Sequence, residues 1–193
     1  RMAIIQCDDK AYEIFWSHHH IIMDRWCSGI LINELFEIYY GLIKKQKVDL
    51  PEVKPYSNYI KWLERQDKEA SILFWQNYLK NYNKPVFLPK PINQIKEKGF
   101  IQKEIELKIN NKDTEALNKI ATNYEVTLFT CLKSIWSLLL TKVNNVSDCV
   151  YGTVVSGRPA EVDGIENMVG LFINTIPFRV SYEKNDTFPD LLK

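Results

Sequence analysis

Apolar positions near the start of the chain fall in two short runs, Met2 to Ile5 and Tyr12 to Ser17, separated by the polar break Asp8, Asp9 and Lys10. Two β-prone runs around such a break predict a hairpin. The period then changes. Ile30, Leu31, Leu35, Ile38, Tyr39, Leu42 and Ile43 recur at helical spacing, which predicts an amphipathic helix over residues 26–45. Pro51 and Pro55 bracket an extended linker. Tyr56, Tyr59, Ile60 and Leu63 resume the helical spacing, with Ser57 as the expected N-cap, and a further helical pattern runs through Phe74, Trp75, Tyr78 and Leu79.

From Asn81 to Lys98 the texture changes to a proline-bearing stretch without a period, the best internal boundary in the chain. Beyond it, Phe100 to Ile109 alternates apolar and polar residues as a strand does. Two helices are expected next, over residues 113–124 and 128–143, the second capped by Thr127. The runs "CVYGTVV" and "LFINTIPFRVSY" read as strands, and "FPDLLK" as the first turn of a helix. Strands and helices mix on both sides of the boundary, so the expected class is α/β with two lobes, residues 1–85 and 86–193. The opening on Arg1 inside an apolar run suggests a piece of a longer polypeptide.

Composition narrows the function without naming it. Apolar residues at 46% and charged residues at 25% are those of a folded chain rather than a disordered one. A formal net charge of +1 supplies no long-range pull toward nucleic acid or anionic lipid. The four cysteines show no C-x-x-C spacing, so reduced thiols in a cytoplasmic protein are expected. The longest apolar stretch, near Leu128 to Leu140, is interrupted by Lys133 and is too short to span a bilayer.

The candidate chemistry is concentrated in "SHHHIIMDRW", Ser17 to Trp26, which holds all three histidines of the chain at a strand-to-helix junction. Consecutive histidines on a strand point to opposite faces, and no second Cys or His cluster completes a metal shell, so no metal is expected. Two readings stay open on the residues alone. In the first, the segment is a packed polar turn in which Asp24 caps the following helix at the positive end of its dipole. In the second, one histidine acts as a general base, since an imidazole titrates at about pH 6.5 and exchanges protons at neutral pH.

His19, His20 and Asp24, in "HHIIMD", resemble the HHxxxDG signature of the condensation domains of nonribosomal peptide synthetases, members of the chloramphenicol acetyltransferase-like superfamily. "PYSNYIKWLERQ", Pro55 to Gln66, is similar to a second family block, with Asn58 where an Asp is usual. "GTVVSGRPAEVDGIENMVGLFINTIPFRV", Gly152 to Val180, is similar over nearly its whole length to a third, and "FWQNYLKNY", Phe74 to Tyr82, to the segment between. The likeness spans the chain but under half of a complete domain, incomplete at both ends.

What the resemblance implies is a two-lobed α/β sandwich that forms an amide bond between two thioesters. Upstream and downstream peptidyl carrier proteins present the substrates on phosphopantetheine arms, with an adenylation domain in the same polypeptide and no cofactor bound directly. His20 is the implied catalytic residue, His19 and Asp24 are motif residues, and Arg158 of "SGRP" is the implied ion-pair partner of Asp24. Arg25, Ser156, Gly157, Asn174 and Thr175 are implied to line the cleft. Arg25 departs from the usual glycine; it keeps the backbone N–H but adds bulk and charge. An epimerisation domain of the same superfamily and a non-catalytic docking platform for carrier proteins are the alternatives.

Overall fold

The computed structural model describes residues 1–89 and 104–192. Strands β1 (Met2–Asp8) and β2 (Ala11–Trp16) form an antiparallel hairpin that pairs Met2 with Trp16 and Ile4 with Ile14, with an irregularity between Gln6 and Asp8. A 3-10 turn, His20–Ile22, leads into α1 (Arg25–Ile43). Helices α2 (Ser57–Glu64), α3 (Lys68–Tyr78), α4 (Asn111–Asn123) and α5 (Leu128–Asn144) follow, then β3 (Asp148–Val155) and β4 (Asn174–Ser181), which pair in a second two-stranded sheet.

The contacts divide the described chain into two units, each discontinuous in sequence. The first comprises residues 1–70 and 154–176. Its core is built by α2 and the irregular segment between β3 and β4: Tyr59, Val162, Ile165, Met168 and Phe172 are buried together, with Tyr56 and Trp62 packed against them. Burying side chains of this size contributes about 1.5–3 kcal/mol each. This core holds the "SGRP" turn and the "IENMVG" segment against α2, which is what makes their backbone available to residues of α1.

The second unit comprises residues 71–153 and 177–193. Here α4 and α5 meet around Ala121, Cys131 and Leu192, with Ile120, Val126 and Phe188 alongside. Arg179 of β4 clamps Asp148 of β3 through two bonds, Nε to Oδ1 at 2.9 Å and Nη2 to Oδ2 at 2.7 Å. Its Nη1 also donates to the carbonyls of Tyr78 and Lys80. Lys133 on α5 lies 4.0 Å from the centre of the Phe178 ring, a cation over an aromatic face. No single helix is long and apolar enough to cross a membrane among the described residues.

Most helix starts follow side-chain chemistry. Thr127 Oγ1 accepts the N–H of Thr130 at 3.1 Å, and Asn110 Oδ1 accepts that of Asp113 at 2.9 Å. Ser57 departs from expectation: it is the first residue inside α2, the cap position is Tyr56, and no side chain bonds the helix start. Pro55 sets that start instead, its carbonyl accepting the Asn58 N–H at 2.9 Å. The strand expected over Phe100 to Ile109 lies partly outside the described residues. Residues 104–109 are neither helix nor strand, and Ile105 and Leu107 are 95% and 85% exposed. Alternation predicts which face a strand would bury, but an extended run becomes a strand only against a partner. The terminal "FPDLL" forms a 3-10 turn, Phe188–Leu192.

Candidate active site

The three histidines follow β2 after one residue, Ser17, and all three are exposed. The His18 ring lies 5.1 Å from that of Trp16. His19 caps the 3-10 turn, its Nδ1 accepting the N–H of Ile21 at 3.1 Å. His20 is the first residue of that turn, and its carbonyl accepts the N–H of Met23 at 3.3 Å. The turn therefore occupies the backbone of His20 and leaves its imidazole open to solvent.

Asp24 ends the motif and is buried, at 5% exposure. It does two jobs with two oxygens. Oδ1 accepts the N–H groups of Trp26 at 3.1 Å and Cys27 at 3.4 Å, capping α1. Oδ2 accepts the N–H groups of Phe172 at 3.1 Å and Ile173 at 3.2 Å, at the entrance to β4. Arg158 completes the charge balance, with Nη2 3.7 Å from Asp24 Oδ1 and both side chains almost fully buried. Its Nη1 donates to the carbonyls of Ile165 and, at 3.1 Å, Met168, while its guanidinium lies 3.8 Å over the Phe172 ring.

Burial alone would raise the pKa of the Asp24 carboxyl. The N–H groups of Phe172 and Ile173, the Cys27 thiol and the positive Arg158 outweigh that penalty and hold it below the ordinary aspartate value. Asp24 is thus a buried, ionised anchor rather than a proton carrier. Tyr56 moves the other way: burial first, then Tyr59, Asp24 and Cys27 nearby, push its hydroxyl up, which keeps it protonated to donate to the Leu171 carbonyl at 2.6 Å.

The remaining residues of interest divide by position. Arg25, Ser156 and Arg158 line a cavity of about 180 Å³ with Asp24, Trp26, Val154, Val155 and Ile173. Gly157 lines a second cavity, of about 330 Å³, with Ser156, Arg158, Pro159, Tyr59 and Trp62. Its φ is +63°, and a Cβ there would overlap the Phe172 carbonyl, so the turn requires glycine on two counts. Asn174 and Thr175 are exposed at the start of β4, where Asn174 Oδ1 accepts the Thr175 N–H at 2.8 Å. They follow the Asp24 anchor point in sequence but line neither cavity. Trp26 is 57% exposed and donates its indole N–H to the Glu166 carbonyl at 2.9 Å.

Sequence reasoning did not single out Cys27, Gly170 or Tyr56 as site residues. Cys27 is fully buried against Asp24, Arg158 and Gly170, and a Cβ on Gly170 would run into the Tyr56 ring. The available signal was a cysteine one turn inside a capped helix and a glycine between apolar residues, neither of which names its partner.

Comparison with known proteins accords with this geometry. The family model described as "Condensation domain" matches residues 1–193. Bacitracin synthase 1 of Bacillus licheniformis is 44% identical over 193 residues, 100% of this chain and 4% of that protein. The first condensation domain of the calcium-dependent antibiotic synthetase, solved with substrate analogue 2a, superposes with a TM-score of 0.75 at 16% identity, over 100% of this chain and 43% of that one. The epimerization domain from the third module of tyrocidine synthetase B gives 0.72 at 17% identity, over 90% of this chain and 40% of that one. The latter two likenesses show the fold alone, one that these condensation and epimerization domains share. A family model matched from end to end, with Asp24 and Arg158 of its motifs in one buried cluster, makes this chain a member of the condensation domain family.

Proposed function

We propose that this chain is part of a condensation domain that joins an aminoacyl or peptidyl thioester to the amine of a second carrier-bound aminoacyl thioester. The observation that carries the reading is an exposed imidazole, His20, on a turn whose far end is tied down by the buried Asp24. The amine nitrogen attacks the upstream carbonyl carbon, the C–N bond forms, the C–S bond breaks, and the carrier thiol leaves. His20 takes the proton that the attacking nitrogen must lose, or holds that nitrogen by a hydrogen bond.

Much of the rate comes from tethering. Holding both reactants on arms converts a bimolecular encounter into a unimolecular one, with effective molarities that reach about 10⁵ M or more. The phosphopantetheine arms belong to upstream and downstream carrier proteins, and an adenylation domain of the same polypeptide loads them. For the complete domain we assign residues 1–85 to the latter part of the N-terminal lobe and 86–193 to the first part of the C-terminal lobe. A cytoplasmic setting is supported by the four free thiols.

The likeness in fold to an epimerization domain supports a second reading, in which His20 moves a proton at an α-carbon. Incubation of the complete domain with carrier-bound substrates of defined chirality separates the two. A new amide whose yield falls in H20A supports condensation. Inversion of the substrate without amide formation supports epimerisation. An amide yield unchanged in H20A, with carrier binding retained, replaces catalysis with a docking role.

A further inference from the structure

We infer that Cys27 is a positioning residue for this chemistry, its thiol bridging the Asp24 carboxylate and the Arg158 guanidinium and so holding the turn that carries His20. The inference rests on the condensation reading for its catalytic consequence, but the bridge itself is a matter of geometry.

Asp24 and Arg158 approach to 3.7 Å, longer than the about 2.7–2.9 Å of a charge-assisted N–H to O bond. The Cys27 sulfur lies beside the pair and touches both groups, closing a triangle with them. It lies 3.4 Å from Asp24 Oδ1 and accepts Arg158 Nη2 at 3.3 Å. It also lies 3.1 Å from the Gly170 carbonyl and accepts the Gly170 N–H at 3.4 Å. A thiol is one donor and one acceptor at once, so its proton serves Asp24 or the Gly170 carbonyl while its lone pairs take the two N–H groups.

Arg158 has few other ties that aim it at Asp24. Its Nη1 is spent on the carbonyls of Ile165 and Met168, and its buried Nε has no hydrogen-bond partner among the described residues. The Nη1 bonds and the Phe172 ring set the plane of the guanidinium, and the Nη2 to sulfur contact adds a hydrogen bond on the side that faces the carboxylate. From Asp24 the constraint passes to the buried Met23, whose N–H is bonded to the carbonyl of His20.

The competing role for a fully buried cysteine is to fill space. Two substitutions separate the roles in a complete domain carrying this segment. C27V keeps apolar bulk without a donor or acceptor, and C27S keeps donor and acceptor on a shorter bond. A double-mutant cycle of D24N and R158Q in each background, followed by chemical unfolding, reads the coupling between the two charges. The inference expects the coupling factor in the unfolding equilibrium to fall by about fivefold or more with C27V and to stay within about twofold with C27S. It also expects kcat to fall in C27V with KM for the carrier substrates unchanged, and C27S to recover most of it. Coupling equal in the C27V and wild-type backgrounds overturns the inference, as does a C27S coupling as low as that of C27V. Should C27V not fold, C27A replaces it with the same outcomes. The unfolding cycle does not depend on turnover, so a domain that makes no amide tells against the function without touching the bridge.

Discussion

The Asp24 carboxylate accepts the backbone N–H of Phe172, 148 residues further along the chain, at 3.1 Å. One side chain thereby caps a helix with one oxygen and pins the entrance to a strand with the other. The end of the histidine motif is located by a buried carboxylate, while the His20 ring stays exposed.

That anchor is expensive to break. Asp24→Ala leaves the buried Arg158 charge and four backbone N–H groups without their acceptor, and loss of one partner from a buried pair costs about 3–5 kcal/mol. The expected outcome is a complete domain destabilised by that order in urea unfolding. Asp24→Asn keeps an acceptor oxygen and should lose less, so equal losses in the two variants would remove the charge from the account.

The same group makes stability depend on acid. Its folded pKa lies below the ordinary value, so the unfolded chain takes up a proton on Asp24 before the folded chain does. The contribution is complete at neutral pH and is lost as pH falls below about 4, through the depressed folded value. Urea midpoints recorded from neutral pH down to about pH 3 should fall less steeply in D24N than in the parent domain.

His20 presents the opposite profile. Its ring is exposed, so H20A should leave unfolding free energy within about 0.5 kcal/mol of the parent. Amide formation on carrier-bound substrates should drop on the order of 10²- to 10⁴-fold. A variant that loses activity only because it unfolds would show the two losses together.

Gly157 tests the backbone under the "SGRP" turn. G157A forces a side chain at φ +63° and into the Phe172 carbonyl, and the loss should exceed about 1 kcal/mol. Because Phe172 also bonds Asp24, G157A should weaken the Asp24 anchor as well as the turn. Fluorescence-monitored unfolding checks the magnitude.

In the second unit, Arg179→Lys removes the two-pronged hold on Asp148 and the reach to the Tyr78 and Lys80 carbonyls. A lysine presents a point charge instead of a planar fork. The expected cost is about 1–2 kcal/mol, recoverable neither by salt nor by pH near neutrality.

Local structure was legible in the residues themselves. The hairpin from Met2 to Trp16, α1 with its Asp24 cap and α5 with its Thr127 cap follow from period and side-chain chemistry acting over a few positions. A family likeness paired Asp24 with Arg158, which lie 3.7 Å apart, and pointed to His20, whose ring is exposed. The start of α2 and the run from Glu104 to Ile109 did not follow, because Ser57 lies inside the helix it was expected to cap and the alternating run meets no partner strand among the described residues. What tertiary structure alone decided is the set of contacts that joins distant segments: the Cys27 sulfur touching two charges, the Tyr56 ring against Gly170, the carbonyl that forbids a side chain at Gly157. Periodicity records which side of an element is apolar, whereas the identity of the atom across a buried gap depends on how separate stretches pack, and no short window of sequence contains that information.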